Sequence, residues 1–124
     1  MIDLEKKTKI KEATAHYLKS EGFEVEANLE GYPKPAEIGW PGHKTTIIPD
    51  LTGAVDGNMF VFKLSTTELA KKTVEIDNWK LLSAYAKQKG GSLNLVTMAS
   101  QEMAIRNIAL KAKLSPGVLT IMEG

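Results

Sequence analysis

Cysteine is absent from this chain of 124 residues. Disulfide bonds, thiolate metal sites and cysteine nucleophiles are therefore excluded. An excess of charge of one sign is also lacking, because 16 lysine and arginine residues are offset by 15 aspartate and glutamate residues, which leaves a formal net charge of +1. This balance disfavours a protein that attracts nucleic acid through its overall charge, but it leaves room for a local basic face.

No apolar run approaches the length of a membrane span, and residues 1–7 contain no apolar signal-peptide segment. We therefore expect a cytoplasmic protein without a membrane partner. Apolar residues make up 43% and charged residues 25% of the chain, which is typical of a globular protein. The length and the absence of internal repeats indicate a single domain over residues 1–124.

The first half of the sequence predicts one helix followed by three strands. A helix from Asp3 to about Lys19 and a half-buried strand over residues 23–29 precede a long loop that is rich in proline and glycine. Residues 45–51, which include one proline, predict the second strand, and residues 59–64 predict a third that is apolar on both faces and therefore central. Asp-Gly at residues 56–57 indicates a hairpin turn between them. The buried stripe predicted for the helix is Ile10, Ala13, Thr14, Tyr17 and Leu18.

The second half alternates helices with strands. Residues 67–89 predict a helical region that is broken near Thr73, and residues 92–98 predict a fourth strand. Ser100 is a favourable N-cap for a last helix, and residues 118–122 predict a final strand. The order α-β-β-β-α-β-α-β predicts an α/β fold with a mixed, partly antiparallel sheet and flanking helices. The face predicted to be buried in the 67–89 region is Ile76, Trp79, Leu82, Ser83 and Ala86.

Several segments resemble, in the same order, the PD-(D/E)xK or restriction-endonuclease-like nuclease superfamily. The helix leading into residues 18–25 resembles the first helix and strand of that family. Residues 35–39 (Pro-Ala-Glu-Ile-Gly) and 48–51 (Ile-Pro-Asp-Leu) resemble the approach to its first acidic residue, and residues 79–85 and 90–96 resemble the following helix and strand. The resemblance covers most of the chain, and it implies the restriction-endonuclease-like fold and a nucleic-acid-associated function.

The resemblance also implies which residues would do chemistry. In such nucleases carboxylates hold Mg²⁺, which activates water, and a lysine two positions after the acidic residue of the third strand stabilises the developing charge. Asp50 takes the first acidic position and is the predicted metal ligand. If Lys63 is the family's lysine, the second acidic position holds Val61; in an alternative register the two strand positions hold Phe62 and Leu64. Both registers lack the acidic residue, so we expect impaired catalysis and no cofactor, or Mg²⁺ if the chain is active.

A neighbouring helix could supply the missing carboxylate through Glu68 or Glu12. Glu12 lies opposite the predicted buried stripe and is expected to be solvated, and Glu68 is favoured at a helix start by the helix dipole alone. Asp50 could equally be a turn residue that bonds to nearby backbone. Lys63 is expected to extend from the end of its strand to water.

A set of lysines after the third strand is the candidate nucleic-acid-binding surface. Through phosphate contacts it could bind DNA or RNA, although the interleaved Glu68, Glu75 and Asp77 also fit a solvated face of mixed charge. Tyr32 and Trp40 could stack on bases or anchor their loop. The lysines are Lys71, Lys72, Lys80 and Lys87, with Lys89 nearby.

Three functions are thus compatible with the sequence. The first is a nucleic-acid-associated protein with a nuclease-like fold and impaired catalysis. The second is a structural or protein-interaction domain that keeps only the scaffold and self-associates, for instance as a homodimer. The third is a Mg²⁺-dependent nuclease with a relocated carboxylate. Because one fold supports many functions, the arrangement of the site must decide between them.

Overall fold

A computed structural model describes residues 4–39 and 46–121. The helices are α1 (Leu4–Ser20), α2 (Thr67–Ala70), α3 (Thr73–Gln88) and α4 (Glu102–Lys111), and a short 3-10 turn (Ala99–Gln101) precedes α4. The strands are β1 (Glu24–Ala27), β2 (Ile38–Gly39), β3 (Thr46–Ile47), β4 (Leu51–Val55), β5 (Asn58–Leu64), β6 (Gly90–Met98) and β7 (Gly117–Ile121). None of the helices in this part of the chain combines the length and the apolar character that crossing a bilayer requires.

Five strands form one mixed sheet in the order β1-β4-β5-β6-β7. The pairs β1–β4 and β4–β5 are antiparallel, and the pairs β5–β6 and β6–β7 are parallel. Strands β2 and β3 pair separately as a small antiparallel ribbon. The sequence prediction of a mixed α/β sheet with flanking helices is confirmed.

Helices cover both faces of the sheet and create two apolar cores. Helix α1 packs on β1 and β4, whereas α3 and α4 pack on the other face. Because successive side chains of a strand point to opposite faces, Phe62 and Leu64 belong to the α1 core, and Val61 belongs to the core under α3. All three are buried, with Val61 fully so. The predicted central position of the third strand is confirmed.

The turn between β4 and β5 is confirmed as a two-residue hairpin. Asp56 has φ 52° and Gly57 has φ 81°, and the flanking Val55 and Asn58 are register partners. Positive φ at both central residues gives the turn a twist that matches the twist of the paired strands, and Asp-Gly tolerates it well. The turn therefore fixes the register that places the end of β5 beside the start of β4.

The predicted second strand over residues 45–51 is confirmed only in part, and residue 45 lies outside the described residues. Thr46–Ile47 form β3, residues 48–50 are not in a strand, and the strand that enters the main sheet begins at Leu51. Pro49 separates the two, because proline has no backbone N–H to donate to a ladder. The predicted final strand is confirmed over Gly117–Ile121, while residue 122 lies outside the described residues.

The predicted orientation of α1 is also wrong in part. Ala13 is exposed and Tyr17 keeps 48% of its surface exposed, whereas Ala15 is completely buried. With 100° per residue, the buried face is rotated by about 60° from the predicted stripe. Lys11 consequently lies, in angle, between Leu18 and Ala15 on the face that packs on the sheet. The buried side chains of the helix are Ile10, Thr14, Ala15 and Leu18.

The predicted break in the second helical region is confirmed. Helix α2 ends at Ala70 and α3 begins at Thr73, and the Thr66 side chain caps α2 by accepting a hydrogen bond from the Leu69 amide at 3.1 Å. Helix α3 buries Trp79, Leu82 and Ala86 as predicted, while Ile76 and Ser83 are half-buried. Two further residues of α3 are buried that were not predicted, namely Glu75 and Leu81.

Candidate functional site

Asp50 lies at the end of the sheet, directly before β4 and beside the last residue of β5. Its Oδ2 accepts a hydrogen bond from the Leu64 amide at 2.7 Å, and its backbone carbonyl accepts one from the Asn28 amide at 2.9 Å. The carboxylate thus takes the place of a ladder acceptor where the strand pairing stops. Asp50 was expected to bond to nearby backbone if it were a turn residue. It does bond to backbone, but the bonded groups lie across the sheet and not within its own turn.

Lys63 extends from β5 toward this carboxylate and not to bulk water. Its Nζ is 4.0 Å from Asp50 Oδ2 and 3.3 Å from Glu75 Oε2, and it also donates a hydrogen bond to the Leu64 carbonyl at 3.1 Å. Only 18% of the side chain is exposed. The expectation that Lys63 reaches solvent from the strand end is therefore wrong, since two carboxylates hold it at the end of the sheet.

Glu75 is the acidic residue that the sequence analysis did not single out as a site residue. Its side chain is 8% exposed, and its Oε2 accepts hydrogen bonds from Lys63 Nζ and, at 3.4 Å, from Ser65 Oγ. Trp79 Nε1 donates in turn to Ser65 Oγ at 3.1 Å. The spacing of Glu75 and Trp79 could have predicted that Glu75 is buried. Residues i and i+4 share one face of a helix, and the tryptophan was predicted to be buried.

Lys11 completes the arrangement from the other face of the sheet. Its Nζ is 3.2 Å from Asp50 Oδ1, and 18% of its side chain is exposed. The rotation of α1 brings this lysine toward the sheet. Lys11, Asp50, Lys63 and Glu75 form what we call the charge cluster. It contains two ammonium groups and two carboxylates, so its formal charges cancel.

The two carboxylates predicted as rescue ligands lie on α1 and α2. Glu12 is exposed on α1, as expected, and Glu68 is exposed in the first turn of α2. Among residues 4–39 and 46–121, no three or more histidine, aspartate or glutamate side chains form a group that could hold a metal ion. Mg²⁺ requires oxygen ligands at about 2.1 Å and a site of net negative charge. The neutral charge cluster does not fit this ion.

The predicted nucleic-acid-binding lysines lie outside the charge cluster. Lys71 and Lys72 are exposed between α2 and α3, and Lys80 and Lys87 are exposed on α3 with a spacing that keeps them on one helix face. Asp77 is exposed one turn before Lys80. These four side chains are available to a partner, and they carry positive charge along one helix and the connection that leads into it.

Tyr32 is the aromatic residue of the long loop that the structure describes. Tyr32 is half-buried, and the Lys19 ammonium lies 4.6 Å from the centre of its ring. This contact fits the loop-anchor interpretation, because a cation already covers one face of the ring. Trp40 lies outside the described residues.

A cleft of about 400 Å³ opens on the α1 face of the sheet. No member of the charge cluster lines it. Phe23 and Phe60 meet edge to face there, with ring centres 5.9 Å apart. The cleft is lined by Tyr17, Leu18, Glu21, Phe23, Phe60, Phe62, Ser92, Asn94, Val118 and Leu119. It is a mainly apolar surface that is separate from the candidate catalytic residues.

No protein-family model, curated protein or solved structure matches this chain. The resemblance to restriction-endonuclease-like nucleases therefore stays a prediction from the sequence. The function must be argued from the charge cluster, from the exposed lysines and from the way the sheet positions them.

Proposed function

We propose that this chain is a nucleic-acid-associated protein with a restriction-endonuclease-like scaffold and an incomplete, inactive catalytic set. The order of elements around the main sheet supports the scaffold, and so does the position of Asp50 and Lys63 at the adjoining ends of β4 and β5. Those are the places where the resemblance puts the first carboxylate and the lysine. The exposed lysines of α3 and its N-terminal connection support the contact with phosphate groups.

The complete burial of Val61 is the observation that best supports the proposed loss of catalysis. In the register that makes Lys63 the family's lysine, Val61 occupies the acidic position, and it packs in the core under α3. In the alternative register, Phe62 and Leu64 occupy the two positions and pack in the α1 core. Each of the three side chains is apolar and buried, so none can ligate a metal ion.

The competing function is a Mg²⁺-dependent nuclease with a relocated carboxylate, and Glu75 is the observation that favours it. Glu75 comes from α3, the second helix after β5, and lies 3.3 Å from the Lys63 ammonium, which in turn is 4.0 Å from Asp50. Two carboxylates and a lysine are thus close together, without Glu68 or Glu12. Against this function, both carboxylates are already neutralised by lysines, and Glu75 is nearly inaccessible.

A cleavage assay separates the two functions. We expect the purified protein to cut neither supercoiled plasmid nor single-stranded DNA or RNA above background in the presence of Mg²⁺ or Mn²⁺, because no carboxylate pair is free to hold the ion. Cleavage that is lost in both Asp50→Asn and Glu75→Gln, and retained in the exposed control Glu12→Gln, would establish the relocated-carboxylate nuclease instead. Circular dichroism of each variant checks that it is folded.

Nucleic-acid binding is expected to be weak and strongly dependent on salt. If about four phosphates are contacted, the affinity for a labelled duplex falls on the order of 100-fold between 50 and 200 mM salt. Fluorescence anisotropy at a series of salt concentrations measures this slope. The double variants Lys71→Gln/Lys72→Gln and Lys80→Gln/Lys87→Gln should each weaken binding and flatten the slope.

The matched control for the binding experiment is Lys34→Gln/Lys111→Gln, which removes the same charge from two exposed lysines on other elements. An equal loss in this control would show that only the overall charge matters.

If the unmodified protein binds no nucleic acid at low salt and high protein concentration, the self-associating interaction domain becomes the better function. The apolar cleft, with the half-exposed Tyr17, would then be the surface to test.

A further inference from the structure

We propose that Lys11 and Lys63 are resident counter-ions that take the place of a divalent cation at Asp50 and Glu75. In this protein the two ammonium groups balance the carboxylates and exclude Mg²⁺ and Mn²⁺ from the folded chain. The inference rests on the proposed function, because it treats the charge cluster as the inactive counterpart of a nuclease metal site. It goes further by naming Lys11, a residue to which no role was assigned from the sequence, as the residue that closes the site.

The geometry of the carboxylates supports this role. Asp50 Oδ2 and Glu75 Oε2 both approach the same ammonium, that of Lys63, at 4.0 and 3.3 Å. The other oxygen of Asp50 is held by Lys11 at 3.2 Å. The two carboxylates thus share one neighbouring cation, and that cation is the ammonium group of a lysine. A metal ion that bound both carboxylates would have to displace this ammonium.

The charge balance of the cluster does not depend on any relationship to nucleases. The two carboxylates contribute two negative charges, and the two lysines contribute two positive charges, so the cluster is neutral. All four side chains are between 8% and 18% exposed, so water screens their interactions less than it would at the surface. A divalent ion added to this neutral and poorly solvated site would face the repulsion of two ammonium groups. Removal of one lysine leaves a net negative site, which attracts a cation.

Lys11 is the lysine whose removal should open the site. Lys63 is tied to the backbone by its hydrogen bond to the Leu64 carbonyl, and it is the ion-pair partner of the buried Glu75. Among the described residues, Lys11 forms its ion pair with Asp50 and with no other carboxylate. Replacing it frees Asp50 Oδ1 while Asp50 Oδ2 keeps the Leu64 amide as a donor. The carboxylate should therefore stay in place in the variant.

Titration with Mn²⁺ in the absence of nucleic acid tests the inference. Free Mn²⁺ is measured by electron paramagnetic resonance for the unmodified protein, for Lys11→Met, and for Lys11→Met combined with Asp50→Asn. We expect no stoichiometric binding by the unmodified protein at millimolar Mn²⁺. Lys11→Met should bind one ion per chain at least about tenfold more tightly, and the added Asp50→Asn change should abolish that site. The melting temperature of Lys11→Met should rise with MnCl₂.

The control is Lys9→Met, which makes the same substitution two residues away on α1. Lys9 is 74% exposed and is paired with Glu5, so this variant should bind Mn²⁺ no better than the unmodified protein does. The inference fails if the unmodified protein binds one Mn²⁺ per chain at or below millimolar concentration, a result that needs no variant to fold. It also fails if folded Lys11→Met, or folded Lys11→Gln as a more conservative change, binds no ion. Because no nucleic acid is present, a failure of nucleic-acid binding leaves this test unaffected.

Discussion

Replacing Lys63 with methionine is expected to lower the free energy of unfolding by about 3 kcal/mol. The substitution keeps the length and the apolar stem of the side chain, but it removes the ion-pair partner of Glu75, which is only 8% exposed. The carboxylate is then left in a poorly solvated position with only the Ser65 hydroxyl as a described donor. We place the loss at the lower end of the range for buried pairs because 18% of Lys63 remains in contact with solvent. Urea denaturation followed by circular dichroism measures it.

Two further variants show whether the loss comes from the ion pair. Lys80→Met makes the same change at an exposed position of α3 and should alter stability by no more than about 0.5 kcal/mol. Lys63→Met combined with Glu75→Met removes both partners and should recover part of the loss, because two apolar side chains leave no unpaired charge. An unchanged stability of Lys63→Met would contradict the charge cluster and would mean that the lysine is solvated, as the sequence suggested.

Replacing Phe62 with alanine is expected to destabilise the protein by about 3–5 kcal/mol, the range for a buried aromatic residue. Phe62 is 5% exposed and belongs to the core between the sheet and α1. Its truncation removes apolar contacts and leaves a void that rigid neighbouring strands cannot close. The same denaturation experiment measures the change in the free energy of unfolding.

Leu110→Ala is the matched control for Phe62→Ala, since Leu110 is a large apolar residue with 70% of its surface exposed. It should change stability by well under 1 kcal/mol. If Phe62→Ala is tolerated as well as this control, the strand position is not part of the core. It would then be wrong to conclude that a packed apolar residue occupies the acidic position of the third strand.

Local sequence signals predicted most of the elements of the fold. The Asp56–Gly57 turn and the break before Thr73 follow from backbone preferences that a short segment carries by itself. The second strand was misplaced because residues 45–51 were predicted as one strand that includes Pro49. Only the pairing partners show that Thr46–Ile47 belong to a separate ribbon and that the sheet strand begins at Leu51.

Only two of the four residues of the charge cluster could be predicted from the sequence, for a physical reason. Asp50 and Lys63 were singled out because the resemblance to a nuclease family, which stays a prediction, assigns roles to their positions. Lys11 and Glu75 were missed because a charged residue on an amphipathic helix is normally solvated, and its burial becomes visible only when its partner is known. The small Ala15 also concealed the true orientation of α1, since alanine adds little to a hydrophobic stripe.

The charge cluster joins segments that are far apart along the chain, and this separation bears on the kinetics of folding. The β4–β5 hairpin closes over two turn residues, so its formation costs little loop entropy. The pair of Lys11 with Asp50 joins α1 to the residue before β4, and the pair of Lys63 with Glu75 joins β5 to α3. Contacts that form after the folding transition state act mainly on the unfolding rate. We therefore expect the ion pairs of the cluster, which link separate elements, to slow unfolding and to leave the folding rate nearly unchanged.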